Sequence, residues 1–382
     1  MKESFDLIIV TTEYFPDGGA ATNRIISYSK EIAKKKKVLL LSLAAQQFNE
    51  RKIQVSGNYQ GITYRYIQDP NGGKRNPGRI IRCIKRIPKP FKLYWLLLFK
   101  YNAPTCIYIS RNMKYALRVK IVSLIKGMKL IREISEAPYY ITNLFRRNII
   151  KQMYRMFDGM IAMTTSIRDF FDGVVSQDRF FILPMSVDAS RFNIEDNTDG
   201  KQIFYCSGGN LERDGLKDIL NGFLLFHKTH PIYKLKIATP FDDKNEYHKQ
   251  IWKIIKENDD CVEYLGVLAA TKIPSYISSS TCFILTPHTD YVTKGFPTKL
   301  GEYMVSGKPV ICSRIQSLTE NIDDGCVIWV NTNSPSEICD ALCNIVSDST
   351  AASEVGERGR KMVLNKYTIP PYLDALMKFL QI

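Results

Sequence analysis

What most constrains this chain is a rhythm that occurs twice: apolar β-type runs without polar alternation, alternating with helical patterns. "FDLIIVTT" (5–12) opens the first series. A strand with no polar face is buried on both sides, as in a parallel sheet covered by helices. A helical stretch from about Ala21 to Lys35 follows, then strands at 38–44, 62–68, 106–110, 129–135, 159–164 and 179–185. The polar, acidic stretch "DASRFNIEDNTDGKQ" (188–202) breaks the rhythm and reads as a linker. It restarts with strands at 203–208, 234–239, 262–266, 282–287, 309–313 and 326–330. The pattern predicts an α/β chain of two Rossmann-like domains, 1–190 and 203–366, joined by a linker at 191–202. A proline-opened amphipathic helix ends the chain, within 367–382. At 382 residues the chain also exceeds one compact core. Ligands of such sheets bind at the carboxyl ends of the strands, and two such domains put a cleft between them.

Composition narrows the class. Hydrophobic residues make up 45%, which fits a well-packed protein, and no run of about 18 apolar residues predicts a membrane-spanning helix. "MKESFDLIIVTTEYF" enters a strand directly, so no signal peptide is expected. Nine scattered cysteines form no CxxC pair and no Cys/His cluster, which predicts reduced thiols in a cytoplasmic protein and no structural zinc. Net charge is +15, and it is unevenly spread: residues 1–200 hold 33 basic and 17 acidic side chains, the remainder 20 and 21. Lys74 to Lys100 contains nine basic residues, no acidic ones, and the aromatics Phe91, Tyr94 and Trp95. Such a face fits an anionic membrane surface, with Arg79, Arg82, Lys85, Arg86, Lys89 and Trp95 as its contacts. It also fits a solvated basic face or, on charge alone, nucleic acid.

Three strand ends carry chemistry. In "TTEYFPDGGAATNR", Gly18 and Gly19 let backbone approach a ligand before a helix with free N–H groups, or simply make a turn. In "YCSGGNLERDGLKD" (205–218), Gly208 and Gly209 do the same beside Arg213, which either meets a diphosphate or pairs with Glu212 or Asp214. The third is "KGFPTKLGEYMVSGKPVICS" (294–313). Pro297 and Thr298 suit a helix start, the amides of Thr298 and Lys299 suit phosphate oxygens, and Glu302 suits a ribose diol, or merely the positive helix end. Gly307 suits the helix C-terminal cap. Together the pieces imply a nucleotide-sugar site, with the sugar against Lys294, Gly295 and Phe296, and the base against "YLGVLAA", where Gly266 and Val267 lie.

These residues resemble the retaining GT-B glycosyltransferases of family 4, nearly end to end. "EYFPDGGAATNR" is similar to the family's Pro-then-Gly-Gly loop, and "LPMSVDASRF" (183–192) to its Pro-Asn-Gly-Val-Asp-x-x-x-Phe signature. "GGNLERDG" stands at its Gly-Arg-Leu-x-x-x-Lys-Gly pattern, and "GFPTKLGEYMVSGKPVI" at its donor-binding helix. The resemblance implies sugar transfer from a nucleotide diphosphate sugar, UDP first and GDP next, to a glycan or lipid-linked acceptor. It also implies retention of anomeric configuration, a last helix returning to the first domain, and a setting in surface-polysaccharide assembly at the inner face of the cell membrane. No metal or cofactor is expected, because helix amides and basic side chains can neutralise the leaving diphosphate.

Three positions depart from the family. Lys294 replaces the first Glu of Glu-x7-Glu, which leaves the choice of sugar open. Gly209 and Asp214 replace the Arg and Lys of the diphosphate pair, so Arg213, Lys217 or Lys299 must supply the charge. No histidine occurs in the first half, and Glu136 in "IREISEAPYY" is the candidate for orienting the acceptor hydroxyl, beside Glu133 at the same strand end, or for a cap or salt bridge. The rival readings are another enzyme on this fold, such as an epimerase or phosphorylase, a non-catalytic nucleotide-binding scaffold, and a nucleic-acid binder.

Overall fold

The computed structural model describes residues 2–44, 53–70, 89–110, 112–138, 141–192, 201–288 and 297–382, without the side chains of 89, 90 and 114. The chain divides into two compact units, Met1–Pro184 with Ile369–Ile382, and Met185–Thr368. Most of the expected linker, 193–200, lies outside the described residues.

The first unit contains β1 (Glu3–Ser4), β2 (Leu7–Thr11), β3 (Val38–Ser42), β4 (Ser56–Tyr59), β5 (Ile62–Tyr66), β6 (Tyr101–Asn102), β7 (Thr105–Ile109), β8 (Lys129–Ile134), β9 (Gly159–Ala162) and β10 (Phe180–Ile182). Its main sheet runs β10-β9-β8-β7-β2-β3-β5-β4 and is parallel except for the β4–β5 hairpin. All five residues of β2 and of β3 are buried, as their unalternated sequences predict. Strand β4 is absent from the sequence reading. Its "SGNY" has low strand propensity, and it forms because Gln60 and Gly61 both take positive φ (50° and 84°), the geometry of a tight two-residue hairpin turn. The C-terminal helix, Leu373–Leu380, belongs to this unit. Its Leu376 and Leu380 join one buried cluster with Ile25 and Ile32 of helix Ala20–Ala33.

The second unit holds β11 (Gln202–Cys206), β12 (Lys234–Ala238), β13 (Val262–Tyr264), β14 (Cys282–Leu285), β15 (Val310–Ser313) and β16 (Ile328–Val330). The order is β13-β12-β11-β14-β15-β16, parallel throughout. Order reverses between β11 and β14, and such a switch point is where sheets of this kind bind ligands. The eight described cysteines are free. Burial pushes the thiols of Cys106 and Cys282 up to about 12, so they behave as small core hydrophobes.

Candidate functional site

Parallel pairing brings the loops after β11, β12, β13 and β14 to one edge of the second sheet. After β11, Ser207 Oγ lies 2.9 Å from Thr239 Oγ1 in the loop after β12 and accepts a 3.2 Å hydrogen bond from Gly209 N. A Cβ on Gly208 would meet open space. Gly215 has φ +71, and a Cβ there would sit 2.3 Å from the Thr286 carbonyl, so glycine alone lets this turn reach the end of β14. Arg213 is tied to Asp214, with Nε 2.8 Å and Nη2 2.7 Å from Oδ1. The pairing with its neighbour, one of the two readings of Arg213, is therefore present. Lys217 is exposed near the start of helix Leu216–His227. After β13, Gly266 takes φ +70 and Val267 stands 74% exposed, an apolar side chain at the same edge.

Pro297, in extended conformation, opens helix Thr298–Met304. Gly301 lies in the middle of this helix because Met185 and Val187 cross it: a Cβ would stand 2.5 Å from Met185 Cε and 2.6 Å from Val187 Cγ2. The crossing segment carries Arg191 to Glu302. The Glu302 carboxylate, 2% exposed, is held between Lys299 Nζ (2.9 Å from Oε2) and Arg191 Nη1 (3.3 Å from Oε1). Arg191 Nη2 donates to the Ala270 carbonyl at 2.8 Å. Tyr303 anchors the helix to the sheet. Its hydroxyl accepts from Cys206 N at 2.8 Å, and its ring stacks on Phe283 at 4.5 Å. Gly307 has φ +80, the left-handed conformation its cap position predicts.

Burial by itself lowers the pKa of Lys299, but the Glu302 carboxylate and Cys206 outweigh it and the net shift is upward. Lys299 therefore stays an ammonium. The Cys206 thiol is raised by burial, with Lys299 opposing. Arg191, Cys206 and Tyr303 are absent from the sequence-based candidates. Arg191 lies within the quoted "LPMSVDASRF", but nothing local links it to a carboxylate 111 residues away.

In the first unit, the loops holding Gly18, Gly19 and Glu136 follow β2 and β8 at one sheet edge. Gly18 has an internal reason to be glycine: a Cβ would lie 2.0 Å from Thr22 Oγ1, which itself donates to the Tyr14 carbonyl at 2.7 Å. Gly19 is open and caps helix Ala20–Ala33. Glu136 is half-buried. Glu133, which the sequence places beside Glu136 at the strand end, is buried instead: Arg24 Nε lies 2.6 Å from Oε1, and the Tyr28 hydroxyl donates to Oε2 at 2.7 Å. It belongs to the interior of the unit.

Lys294, Gly295, Phe296, Arg79, Arg82, Lys85 and Arg86 lie outside the described residues. Lys89 opens a described helix, and Trp95 is 56% exposed. Among the described residues, one trio able to ligate a metal, His227, Asp260 and Cys261, gathers within 4.8 Å just before β13, at the opposite end of the strands. Burial, with Asp260 adding, raises the Cys261 thiol to about 11, which opposes ligation. A hollow of about 610 Å³ in the first unit is lined by Arg155, Gly173 and Arg179, before β9 and β10, again at the amino ends.

Residues 200–348 match the family described as "Glycosyl transferases group 1". The matched stretch spans all six strands of the second unit's sheet. Every part of the edge just described except the 185–192 crossing segment lies within the match. No curated protein matches the sequence. Solved structures resemble the whole chain. Anabaena Alr3699/HepE in complex with UDP and glucose is 12% identical, with 98% of this chain and 99% of that one covered and a TM-score of 0.70. Sucrose-phosphate synthase from Thermosynechococcus elongatus is 14% identical, with 98% of each covered, at 0.69. An E. coli structure titled "Trehalose-6-phosphate", bound with UDP-2-fluoro glucose, is 11% identical, with 99% of each covered, at 0.66. At such identities the likeness establishes the fold class, GT-B, that the sequence resemblance implies.

Proposed function

We propose that this protein is a retaining, metal-independent glycosyltransferase of family 4 type, which moves a hexosyl group from a UDP-sugar to a glycan or lipid-linked acceptor. The observation that carries this reading is the Glu302 carboxylate at the ligand edge of the group 1 domain, buried yet flanked by two cations whose side chains reach solvent, Arg191 (20% exposed) and Lys299 (31%). A ribose diol donates to the carboxylate, and the diphosphate lies against Lys299, the amides at 298–299 and the open backbone of Gly208 and Gly209. Val267 and Gly266 meet the base, and Lys294, Gly295, Phe296 and Pro297 the sugar. UDP is favoured because the HepE and E. coli structures are complexes with UDP or a UDP-sugar.

In the reaction the anomeric carbon–phosphate oxygen bond breaks and the bond to the acceptor oxygen forms on the same face. The hydroxyl proton passes to the departing diphosphate, so no protein nucleophile is needed. Neutralisation of that diphosphate by preorganised cations and amides is the main contribution of the protein. Glu136 orients the acceptor hydroxyl. The setting is surface-polysaccharide synthesis, with the protein held at the inner face of the membrane by its basic first unit. Among the described residues no helix is long and apolar enough to cross a membrane.

One observation favours a second reading, a nucleotide-binding scaffold with weak or no turnover. The family's diphosphate pair is replaced by Gly209 and Asp214, and Asp214 holds Arg213. Titration calorimetry with UDP and GDP, followed by nucleoside-diphosphate release across a donor panel, separates the two. Binding with turnover supports the transferase and binding alone the scaffold, whereas no binding to either nucleotide defeats both.

A further inference from the structure

We propose that the first unit docks on an anionic lipid bilayer by inserting an apolar face built from three helices, Lys89–Lys100, Met113–Lys126 and Leu144–Met153. Sixteen large apolar side chains are exposed among the described residues, and ten of them lie on these helices. On the first, Phe91, Trp95 and Phe99 recur every four residues and are 56–60% exposed. On the second, Leu117, Ile121, Leu124 and Ile125 form one outward stripe, while Ala116, Val119 and Val122 fill the inward one. A helix on the surface of a water-soluble domain has a polar outer face, whereas four of the five exposed side chains described on this one are Leu or Ile. The third buries no residue at all, and its Leu144, Phe145 and Ile149 point outward, Phe145 at 74%.

Topology puts the three together. The crossovers β5→β7, β7→β8 and β8→β9 step across the sheet in one direction, opposite to β2→β3. Right-handed crossovers therefore place these helices on one face, and helix Ala20–Ala33 on the other. Burial raises the Tyr94 hydroxyl of the first helix, and the positive charge of Arg118 on the second opposes that rise.

Charge selects the occupant. The three helices carry ten basic residues and no acidic one, and between Asp69 and Glu133 the chain has sixteen basic residues and none acidic. Glu3 meets Lys100 and Asp158 meets Lys120. A second copy would set cation against cation. Nucleic acid would match the charge and stack on aromatics but has no use for four exposed Leu/Ile on one helix. Basic side chains around exposed Trp, Phe, Leu and Ile match the anionic headgroup layer and the acyl boundary beneath it. This deepens the membrane partner named under the proposed function, and extends the contact from the basic, aromatic 74–100 stretch to side chains inserted from three helices.

The test is co-sedimentation of the full chain with phosphatidylcholine vesicles, with and without about one third phosphatidylglycerol. Binding is expected to anionic vesicles, and adding both Ile125→Glu and Phe145→Glu should weaken it about tenfold or more. Both positions are solvent-exposed, so circular dichroism and nucleoside-diphosphate release in solution should be unchanged. Arg146→Gln with Arg147→Gln should weaken binding less, and mainly at low salt. Absence of binding to anionic vesicles, or undiminished binding by the double Glu variant, overturns the proposal, as does a solution dimer that the same substitutions dissociate. Donor turnover without vesicles reports on the transferase reading separately.

Discussion

Glu133 in the first unit and Glu302 in the second are both buried beside an arginine, and they are alike only until their partners are inspected. Glu133 in the first unit is 4% exposed and Glu302 in the second 2%. Arg24, which holds Glu133, is itself buried and also donates to the Leu183 and Pro184 carbonyls at 2.8 and 2.6 Å. Tyr28 completes that cluster, and burial first, then Glu133, raises its hydroxyl well above the ordinary value. Everything there is satisfied internally. Around Glu302 the cations reach solvent, and Lys299 brings its charge to the ligand edge of the sheet. The burial of an acid therefore says little about its role. Whether its counter-ions are sealed in or open to a ligand says more.

The contrast breaks most readily at Glu133. Glu133→Ala leaves the Arg24 guanidinium buried without its carboxylate, which should cost about 3–5 kcal/mol. Urea unfolding that shifts by under about 1 kcal/mol would make the cluster no more structural than a surface pair. Next in size is Gly215→Ala, where a Cβ would meet the Thr286 carbonyl in a left-handed backbone. A loss of about 2 kcal/mol or more is expected in the same assay, with the second unit melting first. Glu302→Ala should cost less stability than Glu133→Ala, since Lys299 and Arg191 can rehydrate, but should reduce UDP affinity by about tenfold or more. Unchanged affinity by calorimetry would remove Glu302 from the donor site. Arg191→Gln should move stability by only about 1 kcal/mol and raise donor KM a few-fold, with kcat less affected. The smallest effect is in pH. The pKa of Lys299 is raised, so its contribution is complete below the ordinary lysine value of 10.5 and lost only as pH climbs through the folded value. UDP binding should show no lysine-type loss between about pH 6 and 9.

Much of the frame was legible. Unalternated runs such as 5–12 and 282–287 announced buried parallel strands, Pro297 and Gly307 bracketed a short helix, and glycines marked the edge where the loops gather. Strand β4 was not legible, because its residues disfavour strands and only the hairpin turn enforces it. Nor was Glu133 separable from Glu136. Both stand near one strand end in sequence, yet Glu133 falls within β8, where five consecutive residues are buried, while Glu136 lies beyond the strand. The apolar stripe of Met113–Lys126 carried no mark of exposure either, since spacing shows which residues share a face but not whether anything covers it.

The linear order of residues was enough for the alternation of strand and helix, hence the two-unit α/β class, and for the resemblance to group 1 transferases. These depend on spacing along the chain, which local propensity and hydrophobic periodicity encode. It took the folded chain to bring Arg24 to Glu133 and Arg191 to Glu302, pairs 109 and 111 residues apart, and to leave ten apolar side chains on three helices uncovered. Those outcomes depend on the path of the chain through space, where the cost of burying charge and the drive to cover apolar surface act between residues that no local pattern connects.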